Sequence, residues 1–298
     1  MGPFFKFIIF VFTFPFLLLV SCQNRENAPS KPQVLVSLPP YLYFVERIAE
    51  DTVNVATLVP PGSNPHTYEP TPKEVERTFK VALWLRLGES YDKKILNVLK
   101  EHSPKLDVVE MTQGISLLEE CEHDHVTEDS AHCHALGDGR DLHIWLSPKL
   151  AKTQAKTIAA ALCKLLPENT QKYEENLRTL LQDLDNLDQE IITMLAPAKG
   201  QTILVSHPAF GYFCQEYHLL QLSIEFEGKD PLPQHISQIL SAANKYHIKS
   251  ILVEPQYSTK GAELIAEKLK LPIYIVDPYS SDYINNLRSI AKIIAGHQ

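Results

Sequence analysis

Beyond residue 33 the apolar positions follow two rhythms. Short β-branched runs at 34–37, 53–59, 203–206, 250–253 and 273–276 alternate with helical stretches, the pattern of parallel α/β units. Between Pro167 and Pro197 the spacing changes. Tyr173, Leu177, Leu180, Leu184, Leu187, Ile191 and Met194 recur every three or four residues, which is the helix period. The flanking prolines suit the ends of such a helix, and about 29 residues at 1.5 Å each extend roughly 43 Å, the width of a whole domain. The pattern therefore predicts an α/β protein of two lobes, residues 33–166 and 198–298, with parallel sheets, joined by one long rigid helix across 167–197.

The N-terminus follows a different logic. Residues 1–21 hold a single charge, Lys6, before a continuous apolar run at 7–20, which reads as a secretory signal too short to span a bilayer. The run ends Leu19-Val20-Ser21-Cys22, which resembles the bacterial lipobox. Cys22 is then expected to be the first mature residue and to carry a lipid anchor, with 22–32 as a flexible tether. The chain is expected to be exported and held at the outer surface of the cytoplasmic membrane or in the periplasm.

Charge narrows the partners. The formal net charge is −8, and losing residues 1–21, which contain Lys6 and no acid, makes it −9. That excludes nucleic acid as an expected partner. Four cysteines follow the anchor, Cys121, Cys133, Cys163 and Cys214, and in an oxidising compartment they permit three full pairings. Alternatively, Cys163 is a buried free thiol in an apolar run and only the loop pair bonds or binds metal. The 119–134 segment interleaves those two loop cysteines with His123, His125, His132 and His134 and with Glu120, Glu122, Asp124, Glu128 and Asp129, and reads as a metal-attracting loop.

Four further residues stand where a predicted strand gives way to a loop, or beside such a place: His66, His143, His207 and Asp277. Open α/β sheets bind ligands at the C-terminal ends of their strands. Three imidazoles and one carboxylate supply the donors and the count that a tetrahedral zinc ion takes, and leave the site at a net charge of about +1, cheaper to enclose than a bare dication. Glu254 follows the run at 250–253, where a carboxylate could orient a ligating imidazole through its other ring nitrogen, and Glu225 and Glu227 near His207 are read the same way. A secreted zinc hydrolase would use the same donors but leave a position open for water. The chain has no His-Glu-x-x-His, and no nucleophile paired with a base, so no enzyme is expected.

Four segments carry a resemblance. Pro65-His66-Thr67-Tyr68-Glu69-Pro70-Thr71-Pro72, Asp141-Leu142-His143-Ile144-Trp145-Leu146-Ser147-Pro148, Ser206-His207-Pro208-Ala209-Phe210-Gly211-Tyr212-Phe213 and Val276-Asp277-Pro278 resemble, in order, the motifs of the zinc- and manganese-binding solute-binding proteins of ABC transporters. The resemblance implies that His66 and His143 come from the first lobe, His207 and Asp277 from the second, and that an ion is clamped in the cleft between them for delivery to an ABC permease. It implies a monomer whose long helix is a stiff spine, allowing only a limited tilt or loop motion. Zinc is the expected cargo, because manganese members of the family often carry glutamate at the position of His207, and a further nitrogen favours zinc over an oxygen-seeking ion. Manganese or iron are the alternatives.

Overall fold

A computed structural model describes residues 31–119, 139–225 and 231–296, together with Gly2. The expected signal at 1–21, Cys22, most of the tether, the loop residues His123, His125, His132 and His134, and Glu227 lie outside the described residues. Among the described residues no helix is long and apolar enough to cross a membrane.

Each half of the body is a parallel four-stranded sheet dressed with helices. The first half runs β1 (Gln33–Val36), α1 (Pro40–Ala49), β2 (Asn54–Thr57), α2 (Pro72–Arg77), β3 (Val81–Arg86), α3 (Ser90–His102) and β4 (Asp107–Glu110), in sheet order β2-β1-β3-β4. A 3-10 turn at Ile144–Leu146 leads into α4 (Pro148–Leu165) and then α5 (Thr170–Leu195). The second half runs β5 (Thr202–Val205), α6 (Gly211–Tyr217), β6 (Leu220–Ser223), α7 (Pro233–Lys245), β7 (Ile251–Val253), α8 (Lys260–Leu269), β8 (Ile273–Ile275) and α9 (Tyr283–Ile294), in order β6-β5-β7-β8. In both sheets the chain leaves the first strand one way and returns on its other side. That reversal opens a crevice at the C-terminal strand ends.

The long helix is α5, 26 residues, or about 39 Å at 1.5 Å per residue. Tyr173, Leu180, Leu184, Leu187 and Ile191 are buried, as the helix period predicts. Polar ties fasten it to both halves. From the first half, Arg47 of α1 meets Asp183 at 2.6 Å, and Thr52 shares a 2.6 Å hydrogen bond with Tyr173. From the second half, Tyr217 of α6 donates to Asp188 at 3.0 Å and Arg288 of α9 to Glu190 at 2.7 Å. The apolar core is correspondingly continuous, since one cluster holds Val34 and Leu85 of the first sheet, Leu187 of α5, Val205 of the second sheet and Tyr283 of α9. A smaller cluster packs α7 and α8 against the second sheet, through Ile239, Ile251 and Ile265. A spine bonded to both lobes resists a wide hinge swing.

Cys163 is half-buried and Cys214 buried, and both are free thiols; burial pushes the Cys214 thiol upward in pKa. No bridge therefore joins these two, and of the pairings expected above only one between Cys121 and Cys133 stays open.

Candidate metal centre

The strand ends of the second sheet converge on one place. His207 follows β5, Glu225 follows β6, Glu254 follows β7 and Asp277 follows β8. From the first half, His66 sits in the loop after β2, Glu89 follows β3, and His143 immediately precedes the 3-10 turn that enters α4. The His66 loop is stiffened by its own sequence. Asn64 accepts from the backbone N–H of His66 at 2.9 Å, Gly62 supplies a positive φ of 82°, and Thr71 and Glu74 form a reciprocal capping box around Pro72 at the start of α2.

His66, His143 and His207 come together, with one nitrogen from each lying within 4.8 Å of the others. His143 and His207 are 4% and 5% exposed, whereas the His66 side chain is 32% exposed. His143 Nε2 and His207 Nε2 stand 3.4 Å apart. Two imidazoles on one tetrahedral zinc, each at 2.0–2.1 Å, place their nitrogens about 3.3 Å apart. That pair already has the spacing of two ligands, and the His66 nitrogen lies within 4.8 Å of both.

Both buried rings are fixed by carboxylates on their other nitrogen. His143 Nδ1 donates to Asp141 Oδ1 at 2.7 Å, and His207 Nδ1 donates to Glu225 Oε2 at 2.6 Å. A proton on Nδ1 leaves a lone pair on Nε2 of the neutral ring, which is the tautomer that binds a metal, and the carboxylate raises the basicity of the ligand. Glu89 approaches Nδ1 of His66 at 3.8 Å, beyond hydrogen-bond reach. Burial, then the neighbouring His143, lowers the pKa of His66; burial, then His66 and His143, lowers that of His207. Those two rings are therefore neutral at pH 7.

Asp141 is itself positioned from the other lobe. Its backbone carbonyl accepts from Tyr212 of α6 at 2.7 Å, and a Cβ on Gly211 would come within 2.6 Å of its Oδ2. Only glycine at 211 allows this approach. The lobes are further sewn together beside the site, where Trp145 Nε1 donates to the Pro278 carbonyl at 2.8 Å and Tyr283 donates to the Trp145 carbonyl at 2.6 Å.

Two expected residues stand differently from the sequence reading. Asp277 is not among the three gathered residues; its Oδ1 accepts from Gln256 Nε2 at 2.7 Å and from the Tyr279 backbone at 3.0 Å. A carboxylate two residues before Tyr279 finds a local backbone donor, and that bond, with Gln256, holds it. Glu254 does not touch an imidazole nitrogen. Its carboxylate accepts from Ser206 Oγ and from the backbone N–H of His207, the latter at 3.1 Å, so it fixes the loop rather than the ring. Glu254 is fully buried, and burial raises its pKa to about 8. Asp141, Gly211 and Tyr279 were not singled out in the sequence. Asp141 was findable as the acid two residues before His143, because an Asp side chain readily bonds the backbone two positions on, as it does here at 2.8 Å.

The carboxylate on His207 yields a direct test. Glu225→Gln keeps the shape but replaces the charged acceptor, and is expected to weaken zinc binding by about 10- to 100-fold. Competition against a chromophoric chelator measures it, with an unchanged circular dichroism spectrum as the control.

Three comparisons bear on this geometry. Residues 34–296 match the profile of the family described as zinc-uptake complex component A, periplasmic. A Chlamydia trachomatis serovar D protein carrying a metal-binding name is 30% identical over 286 residues, covering 96% of this chain and 98% of that one. The high-affinity zinc uptake system protein ZnuA of Bacillus subtilis strain 168 is 30% identical over 296 residues, covering 95% and 89%. Among solved structures, a crystal structure of a ZnuA deletion mutant with zinc bound superposes with a TM-score of 0.80 at 34% identity, covering 89% of this chain and 97% of that one.

Proposed function

We propose that this chain, which belongs to the zinc-uptake complex component A periplasmic family, is the solute-binding component of an ABC metal importer. The family consists of binding components of metal uptake systems and not of enzymes. In this reading the chain captures a divalent transition metal ion, zinc foremost, at His66, His143 and His207, and hands it to a membrane permease. The observation that carries the reading is the pair of buried imidazoles 3.4 Å apart, each held on its other nitrogen by a carboxylate.

The electrostatics fit a dication. Neutral imidazoles with the Asp141 and Glu225 carboxylates behind them and a third carboxylate, Asp277, within reach give the site a negative field that attracts and offsets an ion of +2. Asp277 is the fourth donor in this reading and exchanges its bond with Gln256 for the ion when the site loads. Cys22 carries the lipid that keeps the chain at the membrane, and the permease supplies the force that separates ligands from opposite lobes.

An all-nitrogen triad favours zinc, with manganese or iron as the second reading. Competitive titration of the mature protein with zinc, manganese and iron(II) tests both. The expected result is one ion per chain in the cleft and zinc bound in preference to manganese. A protein that takes up none of the three contradicts the reading.

A further inference from the structure

The Nε2 lone pair of His143 is already in use. Its Nδ1 donates to Asp141 at 2.7 Å, which in the neutral, metal-binding form of the ring leaves Nε2 without a proton. His207 Nε2, 3.4 Å away, is bare for the same reason, because the one proton of its neutral ring is on Nδ1, which donates to Glu225. Neither imidazole can donate to the other. The hydroxyl of Tyr279 lies 3.2 Å from His143 Nε2 and has the proton that both rings lack.

Tyr279 is also built to stay there. It is 3% exposed, its backbone N–H donates to Asp277, and its ring packs against Trp145 with centroids 5.6 Å apart. Its hydroxyl meets that of Tyr257 at 3.2 Å, and the Tyr257 ring stacks on His207 at 4.3 Å with the planes 8° apart. The two phenols thus link the imidazoles, Tyr279 through its hydroxyl on His143 and Tyr257 through its ring on His207.

We propose that Tyr279 is a built-in competitor for the metal, its hydroxyl bonded to the His143 lone pair that every incoming ion must take. The inference rests on the capture reading above and adds to it a residue that sets the affinity. Each loading event breaks one hydrogen bond to His143, so the cost is the same for every ion. A common cost matters most for ions that bind imidazole weakly, and the phenol therefore acts as a threshold that strongly nitrogen-seeking ions pass.

Tyr279→Phe keeps the ring packing and removes only the hydroxyl. Zinc and manganese affinities are both expected to rise by about 2- to 12-fold and by the same factor, the weight of one hydrogen bond between neutral groups. The thermal midpoint of the metal-free variant should fall while that of the zinc-loaded variant stays put, a pattern that a purely structural role, lowering both, would not give. Affinities that fall, most steeply for manganese, would mean that the phenol oxygen is itself a ligand and would overturn the proposal, as would affinities that do not change. The hydrogen bond is also readable without a variant and without metal, because an Nε2 that accepts a proton has its 15N resonance displaced upfield of an unbonded lone-pair nitrogen. An undisplaced His143 resonance in the wild-type protein overturns the proposal. A wild-type protein with the displaced resonance that binds no metal overturns the capture reading instead.

Discussion

Replacing His207 with alanine is expected to lower zinc affinity in the cleft by about 10²- to 10³-fold. Zinc bound by four protein ligands contributes about 10–16 kcal/mol, so each ligand carries roughly 2.5–4 kcal/mol, and each 1.4 kcal/mol is a factor of ten. The loss falls at the upper end here because His207 is buried and its ring is oriented by Glu225 at 2.6 Å. Isothermal titration or chelator competition reads the change. Deleting residues 120–134 is the control, since the three histidines of the cleft all lie outside that segment; the deletion is expected to leave cleft affinity unaltered. Unaltered affinity in His207→Ala, or lost affinity in the deletion, would move the primary site to the loop.

The parts of the fold that the sequence discloses are those where one local force dominates. The long helix is legible because a period of three or four persists across Tyr173, Leu180, Leu187 and Ile191, and all four are buried. The strands at 34–37 and 203–206 announce themselves by β-branched content. Three strands do not. β3 reads Val-Ala-Leu-Trp-Leu-Arg, mostly good helix formers, and becomes a strand because β1 and β4 flank it on both sides. β4 (Asp107–Glu110) has only two apolar residues between acids, and β6 (Leu220–Ser223) is an edge strand with Leu220 in solvent, so neither has a pattern strong enough to stand out.

The site divides along the same line. His66, His143 and His207 could be named because each follows a strand or precedes a helix in a proline-marked motif. What supports them could not be read from spacing, because it depends on which strand ends become neighbours. The order β6-β5-β7-β8 places both Glu225 and Glu254 beside His207, at the ends of the two strands that flank β5. Sequence offers no means of deciding which of the two reaches the ring and which the backbone. Asp141 meeting Gly211 joins residues 70 positions apart, across both lobes, and Tyr279 reaching His143 spans 136. Contacts of that range are products of the assembled fold.

Zinc should raise the thermal midpoint of the mature protein by about 8–16 °C. Binding to the native state alone stabilises by RT ln(1 + [Zn]/Kd), about 4 kcal/mol at a thousandfold excess over Kd, and each kcal/mol moves a chain of this size by about 2–4 °C. The premise that zinc favours the native state follows from where the ligands come from. His66 lies after β2, His143 before α4 and His207 after β5, so only the folded chain brings them within 4.8 Å of one another. The donors of the 119–134 loop are adjacent in sequence and remain available to the unfolded chain, so ions held there cancel in the comparison and leave the midpoint unmoved. Differential scanning fluorimetry with and without a chelator reads the shift. His207→Ala, whose loop donors are intact and whose cleft affinity is lower by about 10²- to 10³-fold, should lose about two-thirds or more of it at the same zinc concentration. A shift that survives that substitution at full size would show that the ion joins the lobes through other residues than these three histidines.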